Sequence, residues 1–357
     1  MKKKLYKDTV LCLLIIFPII ILAKYYQFNM LNDNAFGIIN RLINWLHTDI
    51  IPTDSSYAFP LQFYRLISFL PFKTALEWGI FWSIIMNITF FLIFLRTSSK
   101  YSLEEYIFIY SSMFILDVFV FNINKDLVQC LIFLIVFFII NTKLSNIKKI
   151  FLSVLILFIE SLCFRPYYIF GSLTIIITYF VLDKFNIKGK NKIIKSLSLI
   201  ILLVFIMIYL SQFIKPTAYT GLIGRRDTLA EDIEAITVIT DWIPGNGYFN
   251  YCINYVINLF RMAFPFELLK IGLKYIPFFI YQIYLTFNII KSLRNINSKN
   301  IVNISVIIGY WLMLFASESD FGTLVRHQAI LLPFYLGMIR DNINIKKYKY
   351  KNKKLNI

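Results

Sequence analysis

Long apolar runs separated by short polar punctuation, and not the alternation of a half-buried surface, set the pattern of this chain. Leu197 to Ile214 and Leu127 to Ile140 with their flanks approach or reach the roughly 18 to 20 apolar residues that cross about 30 Å of hydrocarbon. Inside lipid such runs must be helical, because no water is present to satisfy open backbone groups. Ten spanning helices are predicted, over residues 8–24, 78–95, 105–122, 127–142, 149–164, 167–183, 196–214, 274–291, 301–317 and 328–340. The fold class is therefore all-α: a polytopic integral membrane protein with 1–357 as one membrane domain. An eleventh stretch, Tyr251 to Leu269, is interrupted by Arg261, Pro265 and Glu267 and is open to three readings: a span, a re-entrant piece or an interfacial helix.

The distribution of charge discriminates among these. If Tyr251 to Leu269 does not cross, the cytoplasmic segments are 1–7, 96–104, 143–150, 184–195, 291–300 and 340–357. They carry 24 of the 37 Lys and Arg residues with only five of the 20 acids, Asp8, Glu104, Glu105, Asp183 and Asp341. The whole basic excess then lies inside, as the positive-inside rule requires. A crossing would move ten cations, from Lys291 to Lys299 and Arg340 to Lys354, to the outer face. Both termini are thus expected in the cytoplasm, and topology accounts for the net charge of +17 without nucleic acid.

Two substantial segments remain outside, residues 25–77 and 215–273. The first holds Trp45, Tyr57, Phe59, Phe63, Tyr64 and Phe72 among scattered prolines, and Phe36 to Leu46 has near-helical apolar spacing. These features predict amphipathic helices lying at the interface.

Composition adds little but agrees. The chain is 58% hydrophobic and 16% charged, a balance unsuited to a water-exposed domain. Met1 to Lys7 followed by Val10 to Ala23 has the form of an export signal, but Lys24, Tyr25 and Tyr26 offer no cleavage site, so a retained signal anchor is expected. Cys12, Cys130, Cys163 and Cys252 lack paired spacing, which suggests packing roles and neither a disulfide framework nor a zinc site. His47 and His327 are the only histidines, excluding a histidine-rich metal centre. No internal repeat and no glycine-rich phosphate loop is found, and no cofactor or metal is called for.

Ionisable residues in or beside spans are costly and suggest function. They collect at predicted outer connections: Asn124-Lys125-Asp126; Arg165-Pro166-Tyr167-Tyr168; Arg225-Arg226-Asp227; Arg261; and the run from Glu318 through Ser319, Asp320 and Arg326 to His327. Clustered arginines offer forked donors that match phosphate oxygens, and neighbouring aromatic rings can stack on sugars. Substrate-binding candidates are Arg326, His327, Arg165, Tyr168, Arg225, Arg226, Arg261 and Lys125. Arg165 and Arg326 have a plainer reading as side chains snorkelling to phospholipid headgroups. General-base candidates for an acceptor hydroxyl are Asp320, Glu318, Asp126 and Asp33, the last in Asn32-Asp33-Asn34. Asp117 and Glu160 lie inside predicted spans and are expected to make buried polar pairs.

Asn124-Lys125-Asp126, Arg165-Pro166-Tyr167-Tyr168, Arg261-Met262-Ala263-Phe264-Pro265 and especially Ser319-Asp320-Phe321-Gly322-Thr323-Leu324-Val325-Arg326-His327 resemble elements of bacterial Wzy-type polysaccharide polymerases, in their divergent exopolysaccharide branch. The long arginine-to-glycine loop spacing of that family is not found after Arg225 or Arg226. The resemblance implies a cytoplasmic-membrane glycosyltransferase that joins oligosaccharide repeat units carried on undecaprenyl pyrophosphate. Arg165, Arg326 and Arg225 would hold the pyrophosphate, and Asp320 or Glu318 would assist the acceptor. The implied partners are lipid-linked oligosaccharide, membrane lipids, a chain-length regulator and a flippase. Two alternatives stay open: a single-sugar transferase using a polyprenyl-phosphate donor with Asp33 as its acid, and a flippase or transporter of lipid-linked oligosaccharide.

Overall fold

A computed structural model describes residues 17–29, 37–97, 101–184, 192–214, 220, 236–245, 247–318 and 320–342. Among them the regular secondary structure is all helical, with a single isolated antiparallel bridge between Val238 and Asp320 and no strand. The helices in order are α1 over 17–29, α2 Gly37–Leu46, α3 Ser55–Arg65, α4 Ala75–Thr97, α5 Leu103–Phe119, α6 Lys125–Ile140, α7 Asn146–Cys163, α8 Tyr168–Lys184, α9 Lys192–Ile214, α10 Tyr248–Ala263, α11 Glu267–Ile271, α12 Ile276–Arg294, α13 Ile301–Ser317, α14 Phe321–Ala329 and α15 over 332–342.

Nine of the ten apolar runs lie mainly on one helix each where described, whereas 328–340 is broken by a turn at residues 330–331 between α14 and α15, and the helices differ in what they can span. Ala75–Arg96, Ile193–Phe213 and Leu273–Arg294 are long and apolar enough to cross a membrane, whereas Ile301–Ser317 is apolar but shorter. With 16 residues, α6 is only about 24 Å long at 1.5 Å per residue.

Two helices carry an exposed apolar stripe while burying polar groups among their inward-facing residues. On α4, Leu76, Ile80, Ile84, Ile88 and Leu92 recur every fourth position and are exposed, while Ser83 and Asn87 are buried. On α7, Ile147, Phe151, Leu155, Ile159 and Leu162 face out, and Ser153, Glu160 and Ser161 face in. A helix in water shows the reverse arrangement, so an apolar solvent suits this surface.

The described residues form two compact units. The first takes those of Met1–Ile135, Cys163–Arg165 and Ala329–Pro333. The second takes those of Val136–Leu162, Pro166–Gln328 and Phe334–Ile357.

In the first unit, α2 buries Ile39, Leu42, Ile43 and Leu46, the helical-period face predicted for Phe36 to Leu46. Arg65 at the end of α3 donates through Nη2 to the carbonyls of Trp45, Thr48 and Ile50, tying down the turn that follows α2. Ser102 and Glu105 close a capping box at the start of α5.

In the second unit, α8 and α13 pack at backbone distance. A Cβ added to Gly309 would lie 2.6 Å from the Cα of Ile175 and 2.7 Å from its nitrogen, so only glycine permits the approach. The Thr174 hydroxyl exploits it by donating to the Gly309 carbonyl at 2.8 Å. The interrupted stretch is a broken helix: α10 ends at Ala263, Pro265 occupies the break, and α11 resumes at Glu267. Helix α10 turns Asn254 and Asn258 inward and exposes Phe249 and Phe260.

Candidate functional site

The first unit contains a deeply buried charge pair, Arg165 with Asp126. Arg165 follows the end of α7, and its side chain is 2% exposed. Its Nη2 lies 2.5 Å from Asp126 Oδ1, and its Nη1 donates to Gln129 Oε1 at 2.6 Å. Asp126 and Gln129 are three residues apart and share a face of α6. Asp126 also sits in that helix's first turn, where the macrodipole favours a carboxylate.

The approach to this turn is fixed by Tyr64. Its hydroxyl donates to the Asn124 carbonyl at 2.6 Å and accepts from the Asn124 amide at 3.0 Å. Asn124 Oδ1 then accepts from Leu127 N at 2.8 Å, capping α6. Burial pushes the Tyr64 phenol above its ordinary value, so it remains a neutral donor.

Lys125 turns to a second tyrosine: Nζ is 3.4 Å from the Tyr57 hydroxyl and 4.6 Å from the centre of its ring. Trp45 meets the same ring edge-on at 6.2 Å. Tyr57 is half-buried, and its phenol is raised first by that burial and then by the Asp54 carboxylate. The geometry joins a carboxylate, two cations and an aromatic platform around the start of one helix.

The second unit holds a separate acid and base. Glu318 follows the last residue of α13, and its Oε1 is 3.2 Å from Nδ1 of His327 on α14, with both side chains buried. Such a pair fixes the histidine's orientation and can pass a proton through the opposite ring nitrogen.

Asp320, two residues away in sequence, is occupied otherwise. Its Oδ2 accepts from the Thr323 amide at 2.7 Å and the Thr323 hydroxyl at 3.0 Å, and the Thr237 hydroxyl donates to its Oδ1. It caps α14 and fastens residues 237–238 to that helix. Arg261 is also committed to internal partners. It binds Glu267 through Nε at 2.6 Å and Nη2 at 2.9 Å, and Nη1 donates to Thr240 O and Asn258 Oδ1. Trp242 covers its guanidinium at 5.1 Å. This arginine bridges the break between α10 and α11.

Tyr168 is buried in the α8–α13 contact with its hydroxyl 3.5 Å from that of Tyr310. Arg326 is half-buried on α14. Asp33, Arg225 and Arg226 lie outside the described residues.

The sequence reading missed Gln129, which only its spacing from Asp126 could have signalled. It noted Tyr57 and Tyr64 only as aromatics. Asp117 does make a buried polar pair: Asn87 Nδ2 donates to both of its carboxylate oxygens, at 2.8 and 3.0 Å. Lys24 joins that neighbourhood by donating to the Asp117 carbonyl. Among the described residues no three of His, Cys, Asp and Glu gather closely enough to hold a metal ion. Scanned against protein-family models and searched against curated proteins and solved structures, the chain matches none.

Proposed function

We propose that this protein is a multispanning cytoplasmic-membrane glycosyltransferase that polymerises oligosaccharide repeat units carried on undecaprenyl pyrophosphate, with its ten apolar helices as spans and both termini in the cytoplasm. The observation that carries the reading is the Asp126–Arg165–Gln129 cluster at the start of α6, with Lys125 against Tyr57 beside it. A lipid-linked pyrophosphate sugar needs positive charge for its leaving group, an aromatic face for its ring and a carboxylate for the acceptor's proton. The resemblance of these same motifs to Wzy-type polymerases points in the same direction.

In this reading an acceptor hydroxyl oxygen forms a bond to the donor's anomeric carbon while the bond from that carbon to the pyrophosphate oxygen breaks. The hydroxyl proton passes to Asp126. The electron pair leaves with the lipid pyrophosphate, whose developing charge Lys125 and Arg165 stabilise. The Arg165 guanidinium and the N-terminus of α6 both face the Asp126 carboxylate. Glu318 with His327 is a second acid–base pair to be tested by itself.

The test is complementation of a deletion strain with Asp126→Asn, which keeps size and shape but removes the charge. Long polysaccharide should disappear while single repeat units are still assembled and exported. A loss of about 2 to 4 kcal/mol of transition-state stabilisation corresponds to roughly a hundredfold or more in rate. An unchanged chain-length ladder at normal protein abundance would reject the site. Repeat units trapped on the cytoplasmic side in the deletion strain itself would identify a flippase instead.

A further inference from the structure

Lys24 is an ammonium buried to 5% exposure in α1, far along the sequence from the cluster that carries the proposed chemistry. An ion so placed is costly unless every donor is satisfied. A lysine ammonium has three donors, and here each has an acceptor: Gln27 Oε1 at 3.0 Å, the Asp117 carbonyl at 2.7 Å and the Phe121 carbonyl at 3.0 Å.

The choice of carbonyls follows from how α5 ends. The amides of Val120 and Phe121 both turn to the Leu116 carbonyl, at 2.8 and 2.7 Å. Because the Phe121 amide reaches back five residues to Leu116, the Asp117 carbonyl lacks the donor four residues on that a continuing helix would supply. Lys24 replaces it, at the helix end where the macrodipole favours a cation. Gly79 on α4 makes the room, since a Cβ there would lie 3.2 Å from Lys24 Nζ and 2.9 Å from Asn122 Nδ2.

The chain then runs from this anchored end to Asp126 in five residues. The Asn122 amide donates to the Val120 carbonyl, and the Ile123 amide to Asn122 Oδ1. Asn124 is gripped by Tyr64 from both its amide and its carbonyl. The connection is thus pinned by Lys24 at one end and by Tyr64 at the other, with Asp126 two residues beyond Asn124.

We infer that Lys24 is a positioning residue that caps the end of α5 and so fixes the 122–126 connection that delivers Asp126 to Arg165. Its effect on catalysis rests on the polymerase reading, whereas its effect on the connection does not.

Two readouts separate these. In full-length protein lacking its native cysteines, Ile123→Cys reports on the connection and Leu324→Cys on α14 of the second unit, both positions being fully buried. Adding Lys24→Met should make Cys at 123 reactive toward a maleimide while Cys at 324 stays protected. Gly79→Ala, a milder change that crowds the ammonium, should act in the same direction.

With purified protein and a lipid-linked repeat unit, Lys24→Met should lower kcat by roughly a hundredfold, the scale of a small misplacement, and leave KM nearly unchanged. Continued protection at 123 overturns the inference, as does exposure of both reporters, which would make Lys24 a support of the whole fold. A full kcat with 123 exposed also overturns it. If the unmodified protein makes no polymer, the polymerase reading fails, and labelling alone then decides whether Lys24 holds the connection.

Discussion

A guanidinium that is 2% exposed must find its solvation inside the protein, and Arg165 finds it in Asp126 and Gln129. Two consequences follow from the desolvation of such a pair. Removing either partner leaves the other charge buried alone, which typically costs about 3 to 5 kcal/mol, whereas removing both can be nearly neutral. Arg165→Met and Asp126→Leu should therefore each lower the unfolding midpoint of the detergent-purified protein, and the double variant should recover much of the loss. A double variant as unstable as the sum of the singles would show that the two side chains are not coupled. At this scale the sequence shows which residues are expensive and not whom they meet. Asp126 and Arg165 stood out because ionisable groups beside apolar runs demand explanation. Their pairing across 39 positions, and the bonds of Lys24 across 93 and 97, exist only once the helices have packed. Asp320 and Arg261 show the converse, since both carry charges suited to a site yet serve a helix cap and a bridge across a helix break.

Helices are where the sequence speaks most clearly, because a run of apolar residues in lipid has one backbone solution. Pro265 announced the break between α10 and α11, and the periodic apolar face of α2 announced a short amphipathic helix. Contact between helices is less legible. Gly309 has nothing in its local sequence to distinguish it from a chance glycine in an apolar run, yet the α8–α13 approach depends on it. Gly309→Ala places a methyl group against the backbone of Ile175, which cannot rotate away, and overpacking of this kind costs about 1 to 3 kcal/mol. Gly171→Ala on α8 is the matched control, another glycine inside a helix whose added Cβ meets nothing nearer than the flexible Met313 side chain at 3.6 Å. Thermal unfolding in detergent should separate the two, with a lowered midpoint for position 309 alone. Equal midpoints would mean that α8 and α13 can move apart at no cost.

The surface of the whole molecule and the charge along its sequence are independent signals of the same environment. Exposed side chains such as Phe151, Leu92 and Leu273 suit an apolar solvent, and with the ten proposed spans the basic excess would fall on alternate connections, the pattern the positive-inside rule describes. The orientation depends on α10, whose 16 residues bury asparagines and end at a proline. If α10 lies along the interface, residues before it and after α11 share the outer side, and α12 then carries the chain inward. Exposed positions bracket these elements: Ile236 before α10, Leu273 before α12 and Ser298 after it. Each is changed to cysteine in a background without the native cysteines, and intact cells are treated with a membrane-impermeant thiol reagent. Labelling is expected at 236 and 273 and not at 298, with 298 becoming reactive once the membrane is permeabilised. Labelling at 236 and 298 but not at 273 would show that α10 crosses, and would place the cations at Lys291, Arg294 and Lys299 outside. Labelling at 298 alone would invert the chain and put the Asp126 cluster on the cytoplasmic side, where an exported repeat unit cannot reach it.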